Sequence, residues 1–507
     1  MGTSSHTSTP PPDGTERPRR SLILSGGGIR VSYQAGAIRA LQEAGIDFVH
    51  VDGTSGGALN AAMLLSGLTP EEMCERWRTL PLESFLSLRP LLKQVKRGQV
   101  TALGGSEKIR KQVLPHLGID MERVRNGDGP DATFNVFDYH YKVNRVFERG
   151  QMNEDLLIAS MSLPGVLPPV EHDGRLYLDS AFVLDANLLE AVRRGADEIW
   201  LVWCLGNGRR YLGGMLRLYV QMLEMGANAA LNRELEQIAD INRSRERPVR
   251  VHVIRPERPL PLDPDLFWGK TDHASLIDRG YADAKRYLAT RRAEGVTLSV
   301  ECTMMRDDTP GIAFRETMAG PFALGETDPR RGAEKGRAAG TRLVMHAAIA
   351  IPDLAAFRAD PEHTGEIIGH IDYPPLGMAL PASHGVFKLF APSGEPGQTY
   401  MVYELGFEHQ GRSYYLAGKK HVGTGSIFRM WNETTTLYAR LHEGSDASGK
   451  VVGAGVLSLG VGALFRLLST LHATNAAGPG ERLRTVGGFG RFFAGELWDT
   501  YVSRRSR

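Results

Sequence analysis

From Ser21 onward, short apolar runs alternate with stretches whose apolar residues recur every three or four positions, the rhythm of a parallel sheet flanked by helices. Residues 21–24 predict a first strand and Gly26-Gly27-Gly28 a tight loop. Ala37, Ile38, Leu41 and Ala44 make one face of a helix that begins near Ser32 and stops at Gly45. A second strand at 48–51 runs through Asp52-Gly53-Thr54-Ser55-Gly56-Gly57 into a helix that reaches about Ser66. Thr69-Pro70-Glu71-Glu72 has the form of a capping box with proline at the first helical position. Later strands are predicted at 133–137, 141–147, 198–204 and 249–254, with helices at 187–194, 215–242 and 274–291.

Past about Val296 the pattern changes to short strands separated by Gly, Pro and Asp turns, at 342–351, 385–390, 399–407, 413–417 and 434–441, with few helical stretches. Such spacing predicts a sandwich or barrel. The apolar run from Val451 is halted by Arg466, too short to span a bilayer and suited to a core strand or helix. The expected organisation is a disordered tail over 1–20, an α/β domain over 21–295 and a β-rich accessory domain of unassigned role over 296–507.

Composition narrows the function classes. At 507 residues the chain exceeds a single core. A net charge of +2 lacks the basic excess of a nucleic-acid binder, so no nucleic-acid partner is expected. Cys74, Cys204 and Cys302 are scattered and form neither a disulfide framework nor a zinc-ligand spacing, which fits a reducing, cytoplasmic compartment. Residues 1–20 are polar and lack the apolar run of a secretory signal, and His6 breaks the myristoylation pattern. No metal or cofactor is expected.

The candidate chemistry lies in the two glycine loops. Gly53-Thr54-Ser55-Gly56-Gly57 fits Gly-x-Ser-x-Gly, in which a serine on a sharp strand-to-helix turn needs neighbours without side chains. With 58 glycines in the chain, about a third of a match is expected by chance; the strand before it and the helix after it give the motif its weight. A serine hydroxyl also needs a base and a set of donors for the charge that builds on a carbonyl oxygen. Successive N–H groups of Gly26, Gly27 and Gly28 at a helix N-terminus suit that task, and suit a phosphate equally. The dinucleotide fingerprint is incomplete, because Val31 stands at its third glycine position and no acidic residue clearly ends the second strand.

The two loops in this order, followed by Ser162-Leu163-Pro164-Gly165 through Val170, by Gly174-Arg175-Leu176-Tyr177-Leu178-Asp179-Ser180 and by Gly195-Ala196-Asp197-Glu198-Ile199, resemble the patatin-like phospholipases of bacterial type. The resemblance covers roughly residues 21–291. It implies a three-layer α/β/α fold with a mostly parallel sheet and a Ser-Asp dyad without histidine. Ser55 falls on the nucleophile, Asp179 on the catalytic aspartate, Gly26, Gly27 and Gly28 with Arg30 on the oxyanion loop, and Gly53 and Gly57 on the elbow. The implied activity is hydrolysis of lipid acyl esters, of phospholipase A or lysophospholipase type. Its partners would be a phospholipid, lysophospholipid or other acyl ester and, peripherally, a membrane. The alternative is an inactive lipid-binding or scaffold protein whose β domain recruits a partner.

Two positions depart from the family pattern. Val31 replaces a glycine after the basic residue and is expected to narrow or stiffen the loop, and Ser180 replaces the glycine after the aspartate. Among rivals, Asp185 lies in a Leu-Asp-Ala-Asn turn and reads as a helix N-cap. A catalytic triad would need His252 or His273; His252 and His50 both read as strand residues. Arg30 reads either as a brace for the loop or as a phosphate contact. Residues 81–97 interleave Leu and Phe85 with Arg89, Lys93, Lys96 and Arg97, a pattern that suits a packed cap or an interfacial segment.

Overall fold

Leu22, Ile23 and Leu24 have no exposed surface, as expected of a strand covered by helices on both faces. In the computed structural model, which describes residues 17–85, 102, 104–211, 213–306, 309–394, 398–422 and 434–501, they lie on the central strand of the first sheet. Most of the expected tail (1–16) and most of the interleaved segment (86–97) lie outside the described residues.

The sheet contains β1 (Arg20–Leu24), β2 (His50–Thr54), β3 (Asp131–Asp138), β4 (Val143–Glu148), β5 (Val170–His172), β6 (Arg175–Asp179), β7 (Glu198–Val202) and β8 (Arg250–Ile254). Its order is β5-β6-β3-β2-β1-β7-β8, with β4 also paired to β3. The run from β3 to β8 is parallel, and β4, β5 and β6 add antiparallel pairings at one edge. Helices α1 (Ser32–Glu43), α2 (Gly57–Leu65) and α3 (Pro70–Thr79) pack with Leu22 and Leu24 on one face. Helices α4 (Leu188–Arg193) and α5 (Met215–Asn242) pack with Ile23, Ile199 and Leu201 on the other. This is the expected three-layer α/β/α arrangement. The capping box of α3 forms, with Thr69 accepting from the Glu72 N–H and Glu72 from the Thr69 N–H.

Helix α6 (His273–Thr290) packs on α1 and also touches the second sheet. That sheet consists of β9 (Gly311–Leu324), β10 (Arg342–Ile351), β11 (Thr364–Tyr373), β12 (Gly377–Pro392), β13 (Thr399–His409), β14 (Arg412–Val422), β15 (Thr436–Glu443) and β16 (Lys450–Ser458). Each is antiparallel to the next, and β9 pairs with both β10 and β16, so the strands close into an eight-stranded barrel. Inward residues such as Met345, Ile349, Phe387 and Leu405 fill it, as a barrel of this strand number requires. A short strand, β17 (His472–Thr474), adds to the start of β9.

One sequence expectation for this region is corrected: helices are more frequent than its pattern suggested. Helix α7 (Pro329–Ala339) lies against β9 and β16, and α8 (Val461–Thr470) and α9 (Pro479–Tyr501) follow the last barrel strand. Among the described residues no helix is long and apolar enough to cross a membrane.

Candidate active site

Strand β2 delivers Ser55 to the edge of the sheet, and α2 carries the chain away immediately afterwards. The reversal forces Ser55 to a φ of +53°, a left-handed conformation that costs a non-glycine residue energy and persists where surrounding packing imposes it. Gly57 permits the turn, because a Cβ there would lie 2.2 Å from the Leu24 carbonyl oxygen. A side chain on Gly53 would meet the backbone of Ala58 in the same way.

Asp179 ends β6, opposite Val136 of β3. Its chain neighbours anchor it: its own N–H donates to the Ser162 carbonyl, and its Oδ1 accepts the Ala181 N–H at 2.9 Å. The remaining oxygen, Oδ2, accepts the Ser55 hydroxyl at 2.6 Å. Two residues 124 positions apart thus meet, and only 1% of Asp179 is exposed. Burial pushes the Asp179 carboxyl up to about 7, against the hydrogen bonds from Ser55 and the N–H groups of Ala181 and Ser180, which favour the charged form. The Ser180 hydroxyl turns away and donates to the Leu184 carbonyl.

The glycine loop lies beside this pair, since a Cβ on Gly26 would come within 2.8 Å of the Ser55 Cβ. Here two expectations change. Asp185 is not the N-cap of α4; Asn187 is, accepting from the Glu190 N–H. Asp185 instead reaches across the sheet, and both its oxygens lie 3.0 Å from the Gly26 nitrogen. Gly26, expected among the oxyanion donors, therefore has its N–H committed to Asp185. Gly27 and Gly28 keep N–H groups with no acceptor among the described residues. Burial, and then the nearby Asp179, push the Asp185 carboxyl well above the ordinary range.

Arg30 is buried and its Nε donates to the Gly27 carbonyl at 2.9 Å. Its guanidinium also faces Glu224 at 3.8 Å and Asp263 at 3.9 Å. Of the two readings of Arg30, the geometry favours the brace. Val31 packs into the core cluster, its methyl groups against Gly56 at the start of α2. A buried chain of side-chain bonds ties the two loops together: Gln34 donates to the Ser25 carbonyl, Asn60 to Gln34 and to the Val31 carbonyl, and Trp77 to Asn60. Beneath the elbow, Asp52 accepts from Thr133 and Asn135, and burial pushes its carboxyl up to about 7.

No hydrogen bond joins a histidine to Ser55 or Asp179 among the described residues. His252 stacks on Trp200 with ring centres 4.2 Å apart and meets the Tyr287 hydroxyl. His273 packs beside Trp77, and His50 faces Ser21 and Thr133. Burial pushes all three imidazoles down to about 4, so each stays neutral at pH 7.

Residues 22–192 match the family model described as patatin-like phospholipase, and this stretch is a patatin-like phospholipase domain, joined to the C-terminal eight-stranded barrel. The chain is 27% identical over 177 residues to an uncharacterized NTE family protein of Mycobacterium bovis, an alignment covering 34% of this chain and 44% of that protein. It is 26% identical over 311 residues to the lysophospholipase nte1 of Aspergillus oryzae, covering 54% of this chain and 18% of the other. The chain thus spans less than half the length of these relatives. Among solved structures it is similar to VipD from Legionella pneumophila, with 14% identity, a TM-score of 0.32, and coverage of 54% of this chain and 67% of that one.

Proposed function

We propose that this protein hydrolyses acyl-ester bonds of phospholipids or lysophospholipids, with Ser55 as nucleophile and Asp179 as its base. The observation that carries the proposal is the 2.6 Å hydrogen bond from the Ser55 hydroxyl to a buried carboxylate at a strained elbow. As Ser55 Oγ attacks the ester carbonyl, its proton passes to Asp179 Oδ2 and the carbonyl oxygen gains negative charge. The N–H groups of Gly27 and Gly28 receive that charge, held in place by Arg30 on the Gly27 carbonyl and by Asp185 on Gly26. When the intermediate collapses, the departing alcohol takes the proton from Asp179 and an acyl-serine remains. Water then attacks the acyl group, giving a proton to Asp179, and the fatty acid leaves as Ser55 recovers its hydrogen.

A carboxylate with an ordinary pKa near 3.9 is a poor match for a serine hydroxyl. The dry setting of Asp179, which raises it to about 7, narrows that mismatch while the hydrogen bond fixes the direction of transfer. Lipid analysis after incubating wild-type and Ser55→Ala protein with a mixed phospholipid extract tests the proposal. Free fatty acid and the matching lysolipid or glycerophosphoester form with the wild type alone if it is right. Equal product from both proteins, or none from either, refutes it.

A further inference from the structure

We propose that His346, His370 and Asp372, on the outer face of the barrel, form a binding site for a divalent transition-metal ion of the zinc type. The sheet itself assembles the set. His346 on β10 stands directly opposite His370 on β11 in the antiparallel register, so both side chains leave the same face, and Asp372, two residues along, returns to it. The donor atoms of the three lie within 4.8 Å of one another. Around a tetrahedral ion with bonds of ~2.1 Å, donors sit ~3.4 Å apart; the two imidazoles stack with ring centres 4.5 Å apart and planes 14° apart, so closing the site takes a rotation of the His346 ring that unstacks the pair. His346, with 35% of its side chain exposed, is free to make it.

The surroundings are those of a ligand set. A metal-bound histidine usually gives its second ring nitrogen to a carboxylate or carbonyl, and a metal-bound carboxylate is itself hydrogen-bonded. His370 Nδ1 lies 2.7 Å from Asp278 Oδ2, which leaves Nε2 as the donor to an ion. Asp372 Oδ1 accepts the Ala379 N–H at 2.7 Å, leaving Oδ2, which sits 3.1 Å from His346 Nε2. His346 Nδ1 faces the Thr317 hydroxyl at 3.5 Å. Two imidazoles and one carboxylate favour zinc, or cobalt in its place, over magnesium or calcium, which take oxygen ligands.

His346 and His370 line a crevice of about 80 Å³ between α6 and the barrel, which gives an ion a path to them. Arg315 and Arg466 border the same crevice. Arg315 is tied to Asp272 and the Gly269 carbonyl, which offsets its charge, whereas Arg466 weakens cation binding. Asp278, behind His370, also pairs with Arg78 of α3, so an occupied site would lock the barrel onto the α/β domain.

Calorimetric titration of full-length, chelator-treated protein with Zn²⁺, repeated with Co²⁺ and read by visible absorption, tests this. The wild type is expected to take up one equivalent with a Kd of ~10 μM or tighter, and its melting temperature to rise saturably with zinc. His346→Ala and Asp372→Asn, on different strands and partly exposed, each weaken binding at least ~10-fold while melting normally without metal. His384→Ala, whose ring faces the Ser445 carbonyl, binds as the wild type does. Absence of saturable zinc binding by the wild type, or undiminished binding in both ligand variants, overturns the proposal and leaves two ordinary hydrogen-bonded pairs, His346 with Asp372 and His370 with Asp278.

Discussion

Glu316 inside the barrel and Asp179 beside the elbow are both almost wholly buried carboxylates, yet their surroundings differ in kind. Glu316 holds the Lys420 ammonium at 2.7 Å on one oxygen and the Tyr403 hydroxyl at 2.8 Å on the other. Its charge is answered by an opposite charge. Among the described residues, Asp179 has a serine hydroxyl and backbone N–H groups as its partners, and burial pushes it up to about 7. Asp52 and Asp185 nearby are raised for the same first reason. Evolution of stability alone would supply a cation or remove such a carboxylate. Under the proposed mechanism, what sets Asp179 apart from Asp52 is that its hydroxyl partner is the elbow serine, so its buried carboxylate is where the proton would move.

The sharpest test of this contrast is the rate loss in Asp179→Asn, whose amide oxygen still accepts from Ser55 but cannot take its proton. Product formation from phospholipid vesicles should fall by ~10³-fold or more, with the protein still folded by circular dichroism. On the barrel side, Lys420→Met strands the Glu316 charge, and urea unfolding should show a loss of ~3–5 kcal/mol. Adding Glu316→Gln should recover much of it.

The dry setting of Asp179 also predicts a pH dependence. Below about pH 4 Asp179 is protonated in both the folded and unfolded chain; between about 4 and 7 only the folded chain holds the proton, so the contribution of this group to stability falls as pH rises, and above 7 the loss is complete. Asp179→Asn should therefore melt higher than the wild type at pH 8, with the difference gone below pH 4. Wild-type kcat/KM should climb through about pH 7 over the same interval as Asp179 ionises. The smallest effect is expected at Asp185→Asn, which keeps one acceptor for the Gly26 N–H: kcat should drop ~10-fold with KM nearly unchanged, since one donor set loosens in the transition state.

Much of this was legible in the residues. The elbow and the glycine loop stand out in local patterns, Asp179 only through the family resemblance, and the long helix over Met215–Asn242 through its amphipathic period. What escaped depends on contacts between distant parts of the chain. Asp185 had the look of a helix cap because its actual partner, Gly26, lies 159 residues away. Helix α7 does carry a helical period, but one written in small residues, Pro329, Gly332, Ala333 and Gly336, instead of large apolar ones: a Cβ on Gly332 would lie 2.1 Å from the Ala454 carbonyl oxygen, and one on Gly336 would lie 2.4 Å from the Phe322 nitrogen. Strand β9 was obscured by Arg315 and Glu316, whose alternation looks polar until Lys420 and Tyr403 are brought to Glu316 across the barrel.

Reaction of the purified protein with a fluorophosphonate, followed by intact and peptide mass spectrometry, addresses the pairing of hydroxyl and carboxylate most directly. One adduct on the peptide containing Ser55, absent from Ser55→Ala and formed far more slowly in Asp179→Asn, is the predicted result. An adduct that persists in Ser55→Ala, or that forms at the wild-type rate in Asp179→Asn, would contradict the account.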